Sequence, residues 1–302
     1  MPIPWLMQLG PGCLEFWLDP VDPPDPLPQQ IAVRESFVQS PLPKVDLLLV
    51  IDDTASMAQE QASLAVDFAV LLDELDDRAI GWQVGVVTTD MTLDDAGWLL
   101  GSPWILTPDL ADRDAVFADM VEVGTAGAGP EAGLAAAIRA VELAAPGGPN
   151  AGFRRPDALL HVVFVSDTDD QSEDWLGDAP EQAFLAFLDA EAAATGLPAR
   201  ASALVGPVPS GCTSVDGTAQ AAVRYGEVVD TSGGVSVSIC AADLGPVLAS
   251  LSEASVAWRT EFPLRSVPVT DSVRVRIDDA PTDDGWATDP DVPAVRFELP
   301  PP

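Results

Sequence analysis

Three oxygen-bearing side chains, Asp52, Thr54 and Ser56, alternate along the stretch DDTAS, so all three can turn to one side of a single loop. Carboxylate and hydroxyl oxygens at that spacing suit a hard divalent cation such as Mg²⁺, which prefers oxygen donors and keeps several waters. A second stretch, SDTDD at 166–170, offers Asp167 after a comparable lead-in. Carboxylates gathered at adjacent sites repel one another and raise each other's pKa, so a bound cation is their natural compensator.

Both stretches end apolar runs. Asp46 is followed by Leu47, Leu48, Leu49, Val50 and Ile51, and Leu159–Val165 reads LLHVVFV. Such runs fit central parallel strands buried on both faces. A strand that stops at acids and hydroxyls just before a helix is where an open α/β sheet places a ligand. Between and beyond the two runs, strands and helices alternate. Leu64, Phe68, Leu71, Leu72 and Leu75 make one helical stripe reaching about Leu75, and strand residues Trp82, Val84, Val86 and Val87 follow. A short edge strand is expected near Trp104, Ile105 and Leu106, then a helix over 109–121. Pro130 suits the first turn of a helix striped by Leu134, Ile138 and Val141. Later come a helix marked by Phe184, Phe187 and Leu188, a strand at 201–205, a helix at 218–230, a strand at 235–240 and a closing helix at 241–253. The fold class implied is α/β: a doubly wound, mostly parallel six-stranded sheet with helices on both faces.

The flanks differ. Residues 1–30 are an N-terminal segment with a Pro/Asp-rich tether, LDPVDPPDPLPQQ, too poor in apolar side chains to pack. Residues 31–43 offer one strand, over 31–39, before Pro41 and Pro43. From 255 to 302 the period becomes two, as in Val273, Val275 and Ile277 and in Val295, Phe297 and Leu299. That spells a small antiparallel β appendage, which the 31–39 strand could join.

Composition narrows the partners. The 302 residues carry 14 basic and 48 acidic side chains, a formal charge of -34, which disfavours nucleic acid and anionic membrane surfaces. No apolar run is long enough to span a bilayer. Cys13, Cys212 and Cys240 lack CxxC spacing, and His161 is the single histidine, which argues against structural zinc. In an oxidising compartment Cys212 and Cys240 are the most natural disulfide, leaving Cys13 over; the alternative is three free thiols. The start, MPIPWLMQLGPGC, resembles the tail of a bacterial lipoprotein signal with Cys13 as the lipidated residue, although it lacks the basic n-region.

With Asp52, Thr54 and Ser56 in DxTxS, Thr125 within GTAGAGPEAG, and Asp167 after LLHVVFVS, residues 44–254 resemble the von Willebrand factor type A domain family and its metal-ion-dependent adhesion site. Threonine replaces the family's usual serine at 54 and keeps the hydroxyl. The resemblance implies Thr54 and Ser56 as direct ligands, Thr125 as a state-dependent one, and Asp52 and Asp167 as acids acting largely through water. It implies Mg²⁺, or Ca²⁺ or Mn²⁺, as the ion, and a protein partner whose Asp or Glu completes the coordination shell. It is similar to bacterial exported or lipoprotein members, which implies an extracytoplasmic envelope or secreted location.

Other chemistries fit less well. The glycine-rich stretch 124–133 has no GK[ST] and matches no dinucleotide fingerprint. A haloacid-dehalogenase-type phosphatase needs a second carboxylate where Thr54 stands. DTDDQSED at 167–174 lacks the glycine and glutamate of a calcium loop. His161 lies inside an apolar strand and reads as a packed histidine with one nitrogen satisfied, and no nucleophile–base pair suggests itself. Asp53, Asp169 and Asp170 read as solvated loop acids, and Trp98, Trp104 and Trp175 as either partner anchors or loop packing. The chain is therefore expected not to be an enzyme. The competing roles are a structural envelope scaffold with a stabilising metal and, if the protein is not exported, a subunit serving an AAA-type ATPase.

Overall fold

The computed structural model describes residues 33–37, 44–67, 69–77, 80–127, 129–215, 217–241, 245–255, 261–269, 272–288 and 292–297. The chain divides into two units, Met1–Phe37 and Val38–Pro302. In the first, the described residues 33–37 carry no regular secondary structure, so the strand expected over 31–39 is not formed there. Cys13 lies outside the described residues.

The second unit is built on five parallel strands: β1 (Lys44–Ile51), β2 (Gly81–Thr88), β3 (Leu159–Val165), β4 (Ala199–Val205) and, after the two-residue strands β5 (Cys212–Thr213) and β6 (Thr218–Ala219), β7 (Ser236–Ser238). Their order is β2-β1-β3-β4-β7, which puts the second apolar run, β3, at the centre and the first, β1, beside it between β2 and β3. Val50 faces Val87 on one side and Phe164 on the other.

Alternation along β1 feeds two cores. Val45, Leu47, Leu49 and Ile51 pack with Met57, Leu64, Leu71, Phe117 and Leu251 on one face. Leu48 and Val50 pack with Leu134, Phe184, Tyr225 and Val228 on the other. The first face is covered by α1 (Ala58–Asp67), α2 (Ala69–Asp77), α3 (Arg113–Val121) and, late in the chain, α8 (Gly245–Ala254). The second is covered by α4 (Gly133–Glu142), α6 (Pro180–Thr195) and α7 (Val223–Ser232), with the short α5 (Glu173–Leu176) leading into α6. Each fully buried Leu or Val contributes about 1.5–3 kcal/mol, so β1 and β3, interior on both faces, are costly strands to disturb.

Three expectations are corrected. Among the described residues the sheet has five strands rather than six: at the edge strand expected near Trp104–Leu106, Leu106 makes only an isolated antiparallel bridge to Val84, with N–H···O distances of 2.9 and 2.8 Å. Pro103 and Pro108 flank it and withhold the donors a longer ladder needs. The helix expected over 218–230 starts only at Val223, because Gln220 N donates to Asp167 O and Ala222 N to Gly206 O, committing the preceding backbone elsewhere. Pro130 does not open α4. Glu131 bridges Asp90, Ala132 N donates to Thr89 O, and the helix begins at Gly133.

The antiparallel appendage is present as β8 (Glu261–Pro263), β9 (Val275–Ile277), β10 (Ala280–Thr282), β11 (Trp286–Thr288) and β12 (Ala294–Phe297). It forms a three-stranded sheet, β11-β12-β8, and a separate β9–β10 pair. Val273 lies just before β9, and Leu299 lies outside the described residues. Among the described residues no helix is long and apolar enough to cross a membrane.

Candidate functional site

The carboxyl ends of β1 and β3 are adjacent, and Asp52 N still donates to Val165 O at 2.9 Å, which extends their ladder by one step. Asp52 therefore emerges, fully buried, beside the start of the 166–172 loop. Its Oδ1 accepts from Thr54 N at 2.9 Å and from Thr54 Oγ1 at 2.7 Å. Its Oδ2 accepts from Ser166 Oγ at 2.7 Å. Thr54 Oγ1 lies 3.1 Å from Ser56 Oγ, so the alternation read from DDTAS does gather three oxygen-bearing side chains. Ser56 in turn lies close enough to the Asp167 carboxylate to pull its pKa down. Three of the five expected residues, Asp52, Thr54 and Ser56, thus form one hydrogen-bonded group, and Asp167 lies beside it, next in sequence to the Ser166 that Asp52 holds.

Thr125, the fifth, is exposed on a loop whose backbone is tied to the first. Gly127 N donates to Asp53 O at 2.9 Å, and a Cβ at Gly127 would collide with the Asp53 carboxylate. Gly124 has a φ of 93°, a left-handed conformation that favours glycine. Gln61, buried on the first turns of α1, joins the loops by its side chain. Its Nε2 donates to Asp52 O at 2.9 Å and to Gly124 O at 2.8 Å, and its Oε1 accepts from Gly124 N at 3.2 Å.

The acids expected to be solvated are not. Asp53 is 8% exposed. Burial, then the Asp90, Asp52 and Glu131 charges, push it up to about 6. Asp170 is buried: its Oδ1 accepts from Leu134 N at 2.9 Å and Ser172 Oγ at 2.7 Å, and its Oδ2 from Ser172 N at 2.9 Å. Ala135 N donates to Ser172 Oγ at 3.0 Å, so the loop caps α4 from a distance in sequence. Burial pushes Asp170 up to about 6 despite these bonds. Asp169 caps α7, accepting from Arg224 N at 3.0 Å. The Asp167 loop is consequently held between two helix N-termini. Sequence reading missed this because the capped helices lie far away along the chain.

Among the described residues no ion pair reaches Asp52, Asp53 or Asp167. Burial, and then the Asp52 charge, raise the Asp167 pKa against the lowering effect of Ser56. Burial, with Asp52 and Asp167, likewise raises Glu131, a flanking acid not singled out from sequence. Glu131 accepts from Gln171 Nε2 at 2.5 Å, which links the threonine-bearing loop to the Asp167 loop. Asp167 Oδ1 is buried and has no hydrogen-bond partner. An orphaned, buried carboxylate oxygen beside hydroxyls and a second carboxylate has the donor chemistry of a hard-cation site. Among the described residues no group of three or more His, Cys, Asp or Glu side chains is arranged to hold a metal. The candidate site differs in kind, combining two carboxylates with hydroxyls.

His161 is remote from this chemistry. Its Nε2 lies 2.8 Å from Ser202 Oγ and its Nδ1 2.8 Å from Ser255 Oγ. Ser255 Oγ donates to Leu251 O, and Ser202 Oγ accepts from Val235 N. Nδ1 therefore carries the proton and Nε2 accepts, so both nitrogens are satisfied rather than the expected one. Burial, then the Arg200 charge, push His161 down to about 3. The Cys212–Cys240 disulfide is formed, with a Cα–Cα distance of 6.1 Å. It joins the β5–β6 hairpin to the end of β7. Trp98, Trp104 and Trp175 are exposed, the last on α5 just beyond the Asp167 loop.

No protein-family model and no curated protein matches the chain. Among solved structures, proximal thread matrix protein 1 from the mussel byssus is similar in two structures. One has 15% identity and a TM-score of 0.40, covering 72% of this chain and 48% of that one. The second crystal structure gives 16%, 0.42, 72% and 49%. The chain thus spans about half the length of the mussel protein.

Proposed function

We propose that residues 44–254 are a von Willebrand factor type A domain acting as a metal-dependent protein-binding module of the adhesion type. The observation that carries this reading is the buried, unpartnered Asp167 Oδ1 beside Asp52, Thr54 and Ser56, in a cluster that no ion pair among the described residues reaches. Asp52, Thr54, Ser56, Thr125 and Asp167 would hold Mg²⁺, or Ca²⁺ or Mn²⁺. When bound, the ion would supply a coordination position open to a partner's Asp or Glu carboxylate. The chain's own residues orient the donors. Asp52 fixes Thr54 through the side-chain hydroxyl and the backbone N–H, Thr54 Oγ1 meets Ser56 Oγ, and the helix-capping 166–172 loop holds Asp167 in place.

A formal charge of -34 slows the approach of an acidic partner at low salt. A partner presenting one ligating carboxylate in a basic surround therefore fits best. The disulfide supports an oxidising, extracytoplasmic location, on the bacterial envelope or secreted. Cys13 is the candidate lipid attachment point.

The test is retention of envelope proteins on the immobilised full chain in Mg²⁺, with EDTA release and Ser56→Ala and Asp167→Asn as controls. Metal-dependent retention that both variants lose supports the reading. Retention indifferent to EDTA, or calorimetry showing no Mg²⁺, Ca²⁺ or Mn²⁺ binding, overturns it. Metal binding without any retained protein would favour the scaffold role.

A further inference from the structure

Gln61 has no place in the donor set, yet it is the side chain that connects two of the loops supplying it. It is 3% exposed, and both Nε2 protons are committed, one to Asp52 O and one to Gly124 O, while Oε1 accepts from Gly124 N. We propose that Gln61 is the positioning residue that sets Thr125 against the Asp52–Ser56 loop, an inference that rests on the metal-site reading above.

The two glycines on either side of Thr125 in the loop, Gly124 and Gly127, have different attachments. Gly127 N is held by backbone alone, at Asp53 O. Gly124, immediately before Thr125, is held on both its N–H and its C=O by one side chain. That side chain is rooted on α1, which begins right after the short helical turn Ala55–Met57 containing Ser56. Gln61 therefore fixes the distance between a helix continuous with one expected donor and a loop carrying another. Gly124 is exposed and has no neighbour within 4 Å of where a Cβ would lie, so past Val123, which packs on the core, the Gln61 amide is the side-chain tie on this end of the loop. Without the amide, the Gly124 end of the loop loses both bonds at once.

A double-mutant cycle tests this, using the folded full chain and Mn²⁺ titrated by calorimetry. Gln61→Met keeps the length and shape while removing the donors, and Gln61→Asn keeps the amide but shortens it so that it reaches only one loop. Each is expected to weaken Mn²⁺ binding roughly tenfold, as loss of outer-shell support does. Thr125→Ala combined with either is expected to weaken it no further than the worse single variant, because both changes remove one arrangement. Amide exchange over 123–127 is expected to quicken in the Gln61 variants and not in Thr125→Ala. Multiplicative losses in the double variants, or wild-type affinity and exchange in both Gln61 variants, overturn the proposal while leaving the metal site standing. A wild-type chain that binds no Mn²⁺ overturns the metal-site reading itself.

Discussion

Strand β1 begins and ends near a fully buried aspartate, and the two are treated in opposite ways. Asp46, near the start, is surrounded by cations. Arg155 Nε donates to its Oδ1 at 2.7 Å, Arg155 N to its Oδ2 at 2.7 Å, and Arg154 Nη1 to its Oδ2 at 3.2 Å. Arg154 continues to Glu191 at 2.8 Å, and Arg155 Nη2 also ties Val45 O and Gly81 O. Asp52, just past the end, receives only hydroxyls and one backbone N–H, and its charge helps raise the pKa of Asp53, Glu131 and Asp167. A buried carboxylate needs compensation. At one end the chain supplies its own cation. At the other it supplies oxygens and leaves one of them unpaired.

The contrast yields graded experiments. The largest effect is expected at the self-compensated end: Arg155→Ala leaves Asp46 short of its main partner and should cost about 3–5 kcal/mol in urea unfolding, equally in Mg²⁺ and EDTA. If the loss shrank in Mg²⁺, the two ends would not be independent. Opening the disulfide by Cys212→Ser with Cys240→Ser should cost about 3 kcal/mol by the same measurement. Because Gln220 N in the segment after β6 donates to Asp167 O, that variant should also weaken Mn²⁺ binding. Unchanged Mn²⁺ affinity would detach the hairpin from the site.

At the other end, Mg²⁺ at about a hundredfold its Kd should stabilise wild type and Arg155→Ala alike by about 2.7 kcal/mol. Asp167→Asn should show no such gain. In EDTA the same variant should be no less stable than wild type, since burial already disfavours the ionised carboxyl. A large loss in EDTA would mean that Asp167 is a structural acid like Asp46.

The smallest effect concerns His161, whose pKa is depressed to about 3 in the folded protein. A depressed imidazole stabilises the fold above its unfolded pKa of about 6.5 and loses that contribution as pH falls from there toward 3. Asp53 and Asp170, raised to about 6, act with the opposite sign, their contribution fading as pH rises through 6. The difference between wild type and His161→Gln isolates the histidine. Between pH 7.5 and 5.5 wild type should lose about 1.4 kcal/mol relative to the variant. A flat difference would mean that the ring is solvated on opening or protonated in place.

How much was legible follows from range. Leu47–Ile51 and Leu159–Val165 announced central strands because burial on both faces leaves an unbroken apolar run, and DDTAS announced its cluster because the donors lie two residues apart. The period-two pattern likewise announced the C-terminal strands. Trp104–Leu106 misled, since β-favouring side chains do not show that prolines on both flanks hold the pairing to a single bridge. Asp169 and Asp170 misled for another reason: an acid that caps a helix dozens of residues away has the same local sequence as a solvated one. Gln61 carried no signal at all. A glutamine on a helix becomes informative only when the backbone groups it meets are known.

Sequence alone determined the parallel α/β order, the oxygen character of the candidate site and its acidic setting, because these depend on residue type and short spacing. Tertiary structure decided which acids are compensated, which oxygen is left unpaired and which amide joins the loops. Those outcomes depend on where distant segments of the chain meet, and on how completely water is excluded there.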